Sequence, residues 1–108
     1  MSMQKIQFID ANFLAETSEG LCVVCFEEPS DFDCQRQAKI VEQAATEITA
    51  DIKVGKCDIE RCSESARRLG VTSIPTTIVF KDGEEVERLV GFRKEVTFIK
   101  HFKTDTAE

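Results

Sequence analysis

The chain has 108 residues with 42% hydrophobic content, enough for one compact domain with a sizeable core and no need of covalent staples. A net charge of -6 and a sequence pI near 4.9 speak against a phosphate-backbone ligand, because nucleic-acid binding needs a basic face that displaces counterions. No apolar run reaches membrane-spanning length, and Lys5, Asp10 and Asn12 interrupt the first thirteen positions, so neither a membrane segment nor a signal peptide is expected.

In chain order, Ile6 to Ile9 is short and β-prone, and Ala11 to Glu16 reads as a helix behind an Asp10 cap. Leu21 to Phe26 is a continuous apolar run, the pattern of a strand buried on both faces. The next helix carries the strongest periodic signal. Cys34, Ala38, Val41, Ala45 and Ile48 recur at intervals of four and three and make one apolar stripe. Asp31 is placed as its N-cap, which puts Cys34 at N3, and Asp33 suits the positive helix end. Lys53 to Ile59 reads as another strand and Cys62 to Leu69 as a short helix stopped by Gly70. Thr76 to Phe80 and Glu85 to Val90 flank Lys81-Asp82-Gly83, whose Asp-Gly pair predicts a tight hairpin, and 94–103 reads as a closing helix carrying His101. Alternating strands and helices followed by a hairpin and a helix predict one α/β domain over 1–108, a mixed sheet with helices on both faces.

The five cysteines form no framework spacing, which predicts a reducing, cytoplasmic context and mostly free thiols. Cys22 and Cys25 stand three apart on a strand, so their side chains leave opposite faces and make neither a redox nor a zinc motif. Cys57 reads as core filler facing away from Lys56, and Cys62 as an exposed, oxidisable thiol at a helix start. Asp31, Asp33 and Cys34 could meet a metal only with a second soft ligand from elsewhere, so neither metal nor cofactor is expected.

Val71-Thr72-Ser73-Ile74-Pro75-Thr76, then Ile78-Val79-Phe80-Lys81-Asp82-Gly83 and Val90-Gly91, resembles the C-terminal half of the thioredoxins. The spacing from Leu21–Phe26 through the long helix to Lys56-Cys57-Asp58-Ile59 extends the resemblance over essentially the whole chain. It implies the thioredoxin fold with a cis peptide before Pro75. It also marks a departure. Where thioredoxins carry Trp-Cys-Gly-Pro-Cys, this chain has Ser30-Asp31-Phe32-Asp33-Cys34, so the attacking cysteine is replaced by Asp31 and the resolving one survives as Cys34. A carboxylate cannot attack a substrate disulfide. The family tryptophans are replaced by Glu27 and Ser30. The buried aspartate beneath the family's motif corresponds to Cys25, with the neighbouring lysine kept as Lys56, so the resemblance implies that Cys25 lies under Cys34. Some animal thioredoxins also keep a regulatory cysteine near the position of Cys62.

Each of these residues also has a purely structural reading. Asp31 and Asp33 are explained by helix capping alone, and Cys34 and Cys25 by core packing as small hydrophobes. The resemblance further implies a groove for an extended peptide, formed by Ile74 and Pro75, by Gly91 and Phe92, and by Ser30, Phe32 and Asp33 at the helix tip. Two functions remain open: thiol-based redox sensing or mixed-disulfide formation through Cys34 without ordinary reductase activity, or a redox-inactive module that binds a protein or peptide. A monomer or weak dimer is expected.

Overall fold

The computed structural model describes residues 3–48 and 50–95. Its elements are β1 (Met3–Phe8), α1 (Asp10–Thr17), β2 (Leu21–Glu27), α2 (Phe32–Ala45), β3 (Ile52–Asp58), α3 (Ser63–Leu69), β4 (Thr76–Lys81) and β5 (Glu84–Val90). They form one sheet in the order β1-β3-β2-β4-β5. The β1, β3 and β2 strands are parallel, while β4 runs antiparallel to β2 and β5 antiparallel to β4. Beyond Lys94 and Glu95, the closing helix expected over 94–103, with His101, falls outside the described residues.

All seven residues of β2 are buried, because the strand lies between β3 and β4 with helices over both faces. Period two then sorts its side chains. Leu21 and Val23 join Val41, Ala44 and Ala45 of α2 in one apolar layer, whereas Cys22, Val24 and Phe26 join Phe13 of α1 and Ala66 of α3 in the other. Cys25 and Glu27 therefore share the α2 face and Cys22 the opposite one. The Asp82-Gly83 turn has positive φ at both positions, 50° and 89°, the geometry of a two-residue hairpin turn in which glycine and aspartate are tolerated.

Two local expectations are corrected. Asp10 does not cap α1; Ile9 holds that place, its N–H donating to Asn12 Oδ1 at 2.9 Å. The Asp10 carboxylate instead accepts from the Ser65 and Glu64 N–H groups at 2.8 and 3.1 Å and from Ser65 Oγ at 2.8 Å, so it caps α3, 55 residues away. The second correction concerns Cys62. It is fully buried rather than exposed and is bonded to Cys57 in a disulfide whose Cα atoms are 6.0 Å apart. Cys57 faces away from Lys56 into the α1/α3 layer, and the turn into α3 folds Cys62 back onto it.

Candidate functional site at the start of α2

The segment leading into α2 is held by its own hydrogen bonds. The Ser30 N–H donates to Glu28 Oε1 at 3.1 Å and the Ser30 hydroxyl donates to Glu28 Oε2, while the Asp31 N–H donates to the Glu28 carbonyl at 3.0 Å. Gln35 reaches back to the Pro29 carbonyl at 2.8 Å. Asp31 is the N-cap in extended conformation, and its Oδ2 accepts the Cys34 N–H at 2.9 Å. That bond satisfies one of the donors every helix start leaves unpaired. Asp31 thus serves the helix, and Cys34 is the only thiol in the segment from Glu27 through α2.

Three chain segments meet around this helix start. The Gly91 N–H donates to the Pro75 carbonyl at 2.8 Å, tying the Ile74–Pro75 loop, whose peptide bond is cis, to the turn after β5. Gln37, fully buried on α2, donates from Nε2 to the Arg93 carbonyl at 2.9 Å and accepts the Arg93 N–H, so the same turn is fastened to the helix. Above it the Arg36 guanidinium lies 4.4 Å from the centre of the Phe92 ring and 5.7 Å from that of Phe32. Phe32 itself is 68% exposed. A cation between two ring faces holds the aromatic pair in place at modest energetic gain. Phe32 and Phe92 are thereby held together across Arg36, which also pairs with Asp33 at 3.9 Å, the Ile74–Pro75 loop is tied to the turn carrying Gly91 and Phe92, and Ser30 sits at the same helix start. Arg36 and Gln37 were not singled out in the sequence; Gln37 was legible only as a polar residue falling on an apolar stripe.

Beneath the helix start lie Cys25, Cys34 and Glu27. Both thiols are free and buried. Cys25 pairs in register with Lys56 across β3 and with Thr77 across β4, and its sulfur receives the Thr77 hydroxyl at 3.8 Å. Burial pushes the Cys25 thiol up to about 12, with the Thr77 bond and Lys56 pulling the other way and Glu27 and Cys34 adding to the rise. The Cys34 thiol is raised to about 11, first by burial, against a hydrogen bond from the Glu28 backbone, and further by Asp31 and Glu27. Glu27, 6% exposed, takes part in no hydrogen bond or ion pair through its carboxyl among the described residues, and burial raises its pKa above the ordinary carboxylate value. At neutral pH the Cys34 thiol is therefore protonated and a slow nucleophile.

This chemistry has a pH signature. Cys22, Cys25 and Cys34 all have folded-state values raised by burial, to about 12, 12 and 11, from an ordinary 9.0. The folded state holds these protons where the unfolded chain releases them, so their contribution is present below about pH 9 and is lost as pH rises through 9 towards 12. The urea midpoint is expected to fall above about pH 9, and replacing the three thiols by alanine should flatten that slope; an equal slope in the variant would refute the assignment. The chain has no tyrosine to titrate in the same range.

Among the described residues, no group of three or more His, Cys, Asp or Glu side chains could hold a metal ion, and no helix is long and apolar enough to cross a membrane. The thioredoxin family model matches residues 4–104. A thioredoxin from Bacillus subtilis (strain 168) is 40% identical over 91 residues, 84% of this chain and 88% of that protein. A thioredoxin from Listeria monocytogenes serovar 1/2a is 37% identical over 87 residues, 81% of this chain and 84% of that protein. In structure, a mutant thioredoxin from Halobacterium salinarum NRC-1 superposes with a TM-score of 0.81, covering 99% of this chain and 93% of that one at 23% sequence identity. With a five-stranded mixed sheet, helices on both faces and a sequence match over nearly its whole length, the chain belongs to the thioredoxin family and has the thioredoxin fold.

Proposed function

We propose that this thioredoxin-family protein does not carry out ordinary two-thiol disulfide reduction, and that it binds an extended peptide with Cys34 as a slow, redox-sensing thiol able to form a mixed disulfide. The observation that carries the reading is the Asp31–Cys34 contact: the position three residues before the surviving cysteine holds a carboxylate engaged in capping, not a thiol. In dithiol exchange the first thiolate attacks and the second resolves the mixed disulfide; with Cys34 alone, a mixed disulfide would persist until an outside thiol removed it. Cys25 is the candidate intramolecular partner, and Lys56, its neighbour in register, is the cation that opposes the rise in its pKa. The peptide would lie along Ile74 and Pro75, against Gly91 and Phe92, with Ser30, Phe32 and Asp33 at the helix tip, in the manner of an added strand. The acidic side chains Glu28, Asp31 and Asp33 favour a basic or neutral peptide. We further assign the protein to the cytoplasm, in keeping with three free thiols.

A second reading, a redox-inactive peptide-binding module, is favoured by one observation: Cys34 is fully buried and its thiol is protonated at neutral pH. Two measurements decide. Insulin reduction by dithiothreitol should proceed no faster with the protein than without it, and a clear acceleration would overturn both readings. Exposure to glutathione disulfide, followed by peptide mapping, should give an adduct at Cys34 or a bond between Cys34 and Cys25. An unmodified Cys34 leaves the binding module.

A further inference from the structure

The Cys57–Cys62 disulfide lies outside the α2 site, on the opposite face of the sheet, in the layer formed by Phe8, Phe26 and Ala66. We infer that Cys57 and Cys62 form a second, reversible dithiol–disulfide centre, whose electron donors are dithiols and whose two states are both accommodated by the native fold. This inference is independent of Cys34.

Three features of the structure carry it. The bond closes a loop of only five residues' separation, so it constrains little of the unfolded chain and is a poor staple. The turn it spans is already fixed without it. The Arg61 and Cys62 N–H groups both donate to the Asp58 carbonyl at 2.8 Å, the Asp10 N–H donates to the Arg61 carbonyl at 3.2 Å, and the Asp10 carboxylate caps the start of α3. Breaking the S–S bond therefore leaves the helix start anchored. Finally, Cys62 Sγ lies 3.2 Å from the Phe8 carbonyl oxygen. A disulfide sulfur has no proton to give, so in the oxidised state this is only a contact. On reduction the Cys62 thiol meets an acceptor already in place, and the buried S–H is satisfied without rearrangement.

Reduction is balanced as follows. One thiolate of an external dithiol attacks a sulfur of the pair and displaces the other as a thiolate, which takes up a proton. The donor's second thiol then attacks the mixed disulfide, releasing the remaining protein thiol. One donor dithiol becomes a disulfide, and the protein gains two electrons and two protons. Both sulfurs are fully buried beneath the turn carrying the exposed residues Glu60 and Arg61, so access requires that turn to open and small dithiols should react ahead of protein dithiols.

The test uses the full chain in native buffer, in the wild type and in Cys34→Ser. Each is equilibrated in mixtures of reduced and oxidised dithiothreitol, quenched in acid, alkylated after denaturation and mapped by peptide mass. Cys57 and Cys62 are expected to convert together between a bonded pair and two alkylated thiols, to re-form the bond when oxidant is restored, and to do so alike in both proteins with unchanged circular dichroism. Resistance to reduction until denaturant is added would overturn the proposal, as would failure of the reduced pair to re-form. Loss of cycling only in Cys34→Ser would also overturn it, by placing the electron entry at Cys34. Because Cys34→Ser lacks the thiol on which the function proposed above depends, a negative result there and a negative result here are separate findings.

Discussion

Replacing Gly55 by alanine is expected to cost about 3 kcal/mol or more of folding stability, a large share of the total for a domain of this size. Gly55 sits in β3 opposite Ile6 of β1 and Val24 of β2. A Cβ built on it would overlap the Ile6 carbonyl group and stand 2.9 Å from Phe8 Cε2. The obstruction is backbone, so no rotamer change relieves it; β1 must move away from β3. That displacement would pull on Phe8, which is fully buried and packs 5.6 Å from the Phe13 ring, and disturb the layer that also contains Cys57 and Cys62. Gly70→Ala is the matching control. Gly70 has φ of 70° with open space around its Cβ position, so it carries only the left-handed backbone penalty, about 1 kcal/mol. Urea unfolding monitored by circular dichroism should show a far larger loss for Gly55→Ala than for Gly70→Ala. Equal midpoints for the two variants would mean that the first strand is not held against β3 as described.

The same contrast between local and distant causes separates what was legible in the sequence from what was not. The apolar run Leu21–Phe26, the stripe of α2, the Asp31 cap and the Asp82-Gly83 turn were readable because each is fixed by residues within a few positions of one another. Asp10 was misread for the same reason. Its composition and place suggested a cap for the helix beside it, while its carboxylate serves α3, an element brought close only by the sheet. Gln37, a polar residue among the apolar positions of α2, is buried because both ends of its amide are satisfied by Arg93, 56 residues on. The Cys57–Cys62 bond had no spacing signature: strand alternation correctly sent Cys57 away from Lys56, but where Cys62 points depends on the turn between β3 and α3. Glu27 was legible as the replacement of a family tryptophan, not as a buried carboxyl near two thiols.

Asp31→Cys is expected to create the reductase activity that, on the function proposed above, the wild-type protein lacks. The N-cap and N3 positions lie across the first helical turn, and the Asp31 side chain already reaches the Cys34 backbone at 2.9 Å. Side chains three apart on a helix approach to about 5–6 Å at Cβ, so a small adjustment at the non-helical N-cap brings two sulfurs within bonding reach. The new thiol stands at the half-exposed helix start, where the dipole favours its thiolate, whereas Cys34 beneath it is buried and protonated, which divides the roles into attacking and resolving thiol. Activity should remain well below that of an ordinary family member. Glu27 and Ser30 replace the tryptophans, and the carboxylates of Glu28 and Asp33 stand beside the new thiolate and raise its pKa. Losing the cap removes about 1 kcal/mol in the reduced state, too little to unfold a domain of typical stability. The expected result is a mapped disulfide between position 31 and Cys34, with insulin reduction above the dithiothreitol background. Should oxidation instead join Cys34 to Cys25 and leave the introduced thiol free, the thiol partner of Cys34 would be the one beneath it in β2, and the helix start would no longer be the place where this site exchanges electrons.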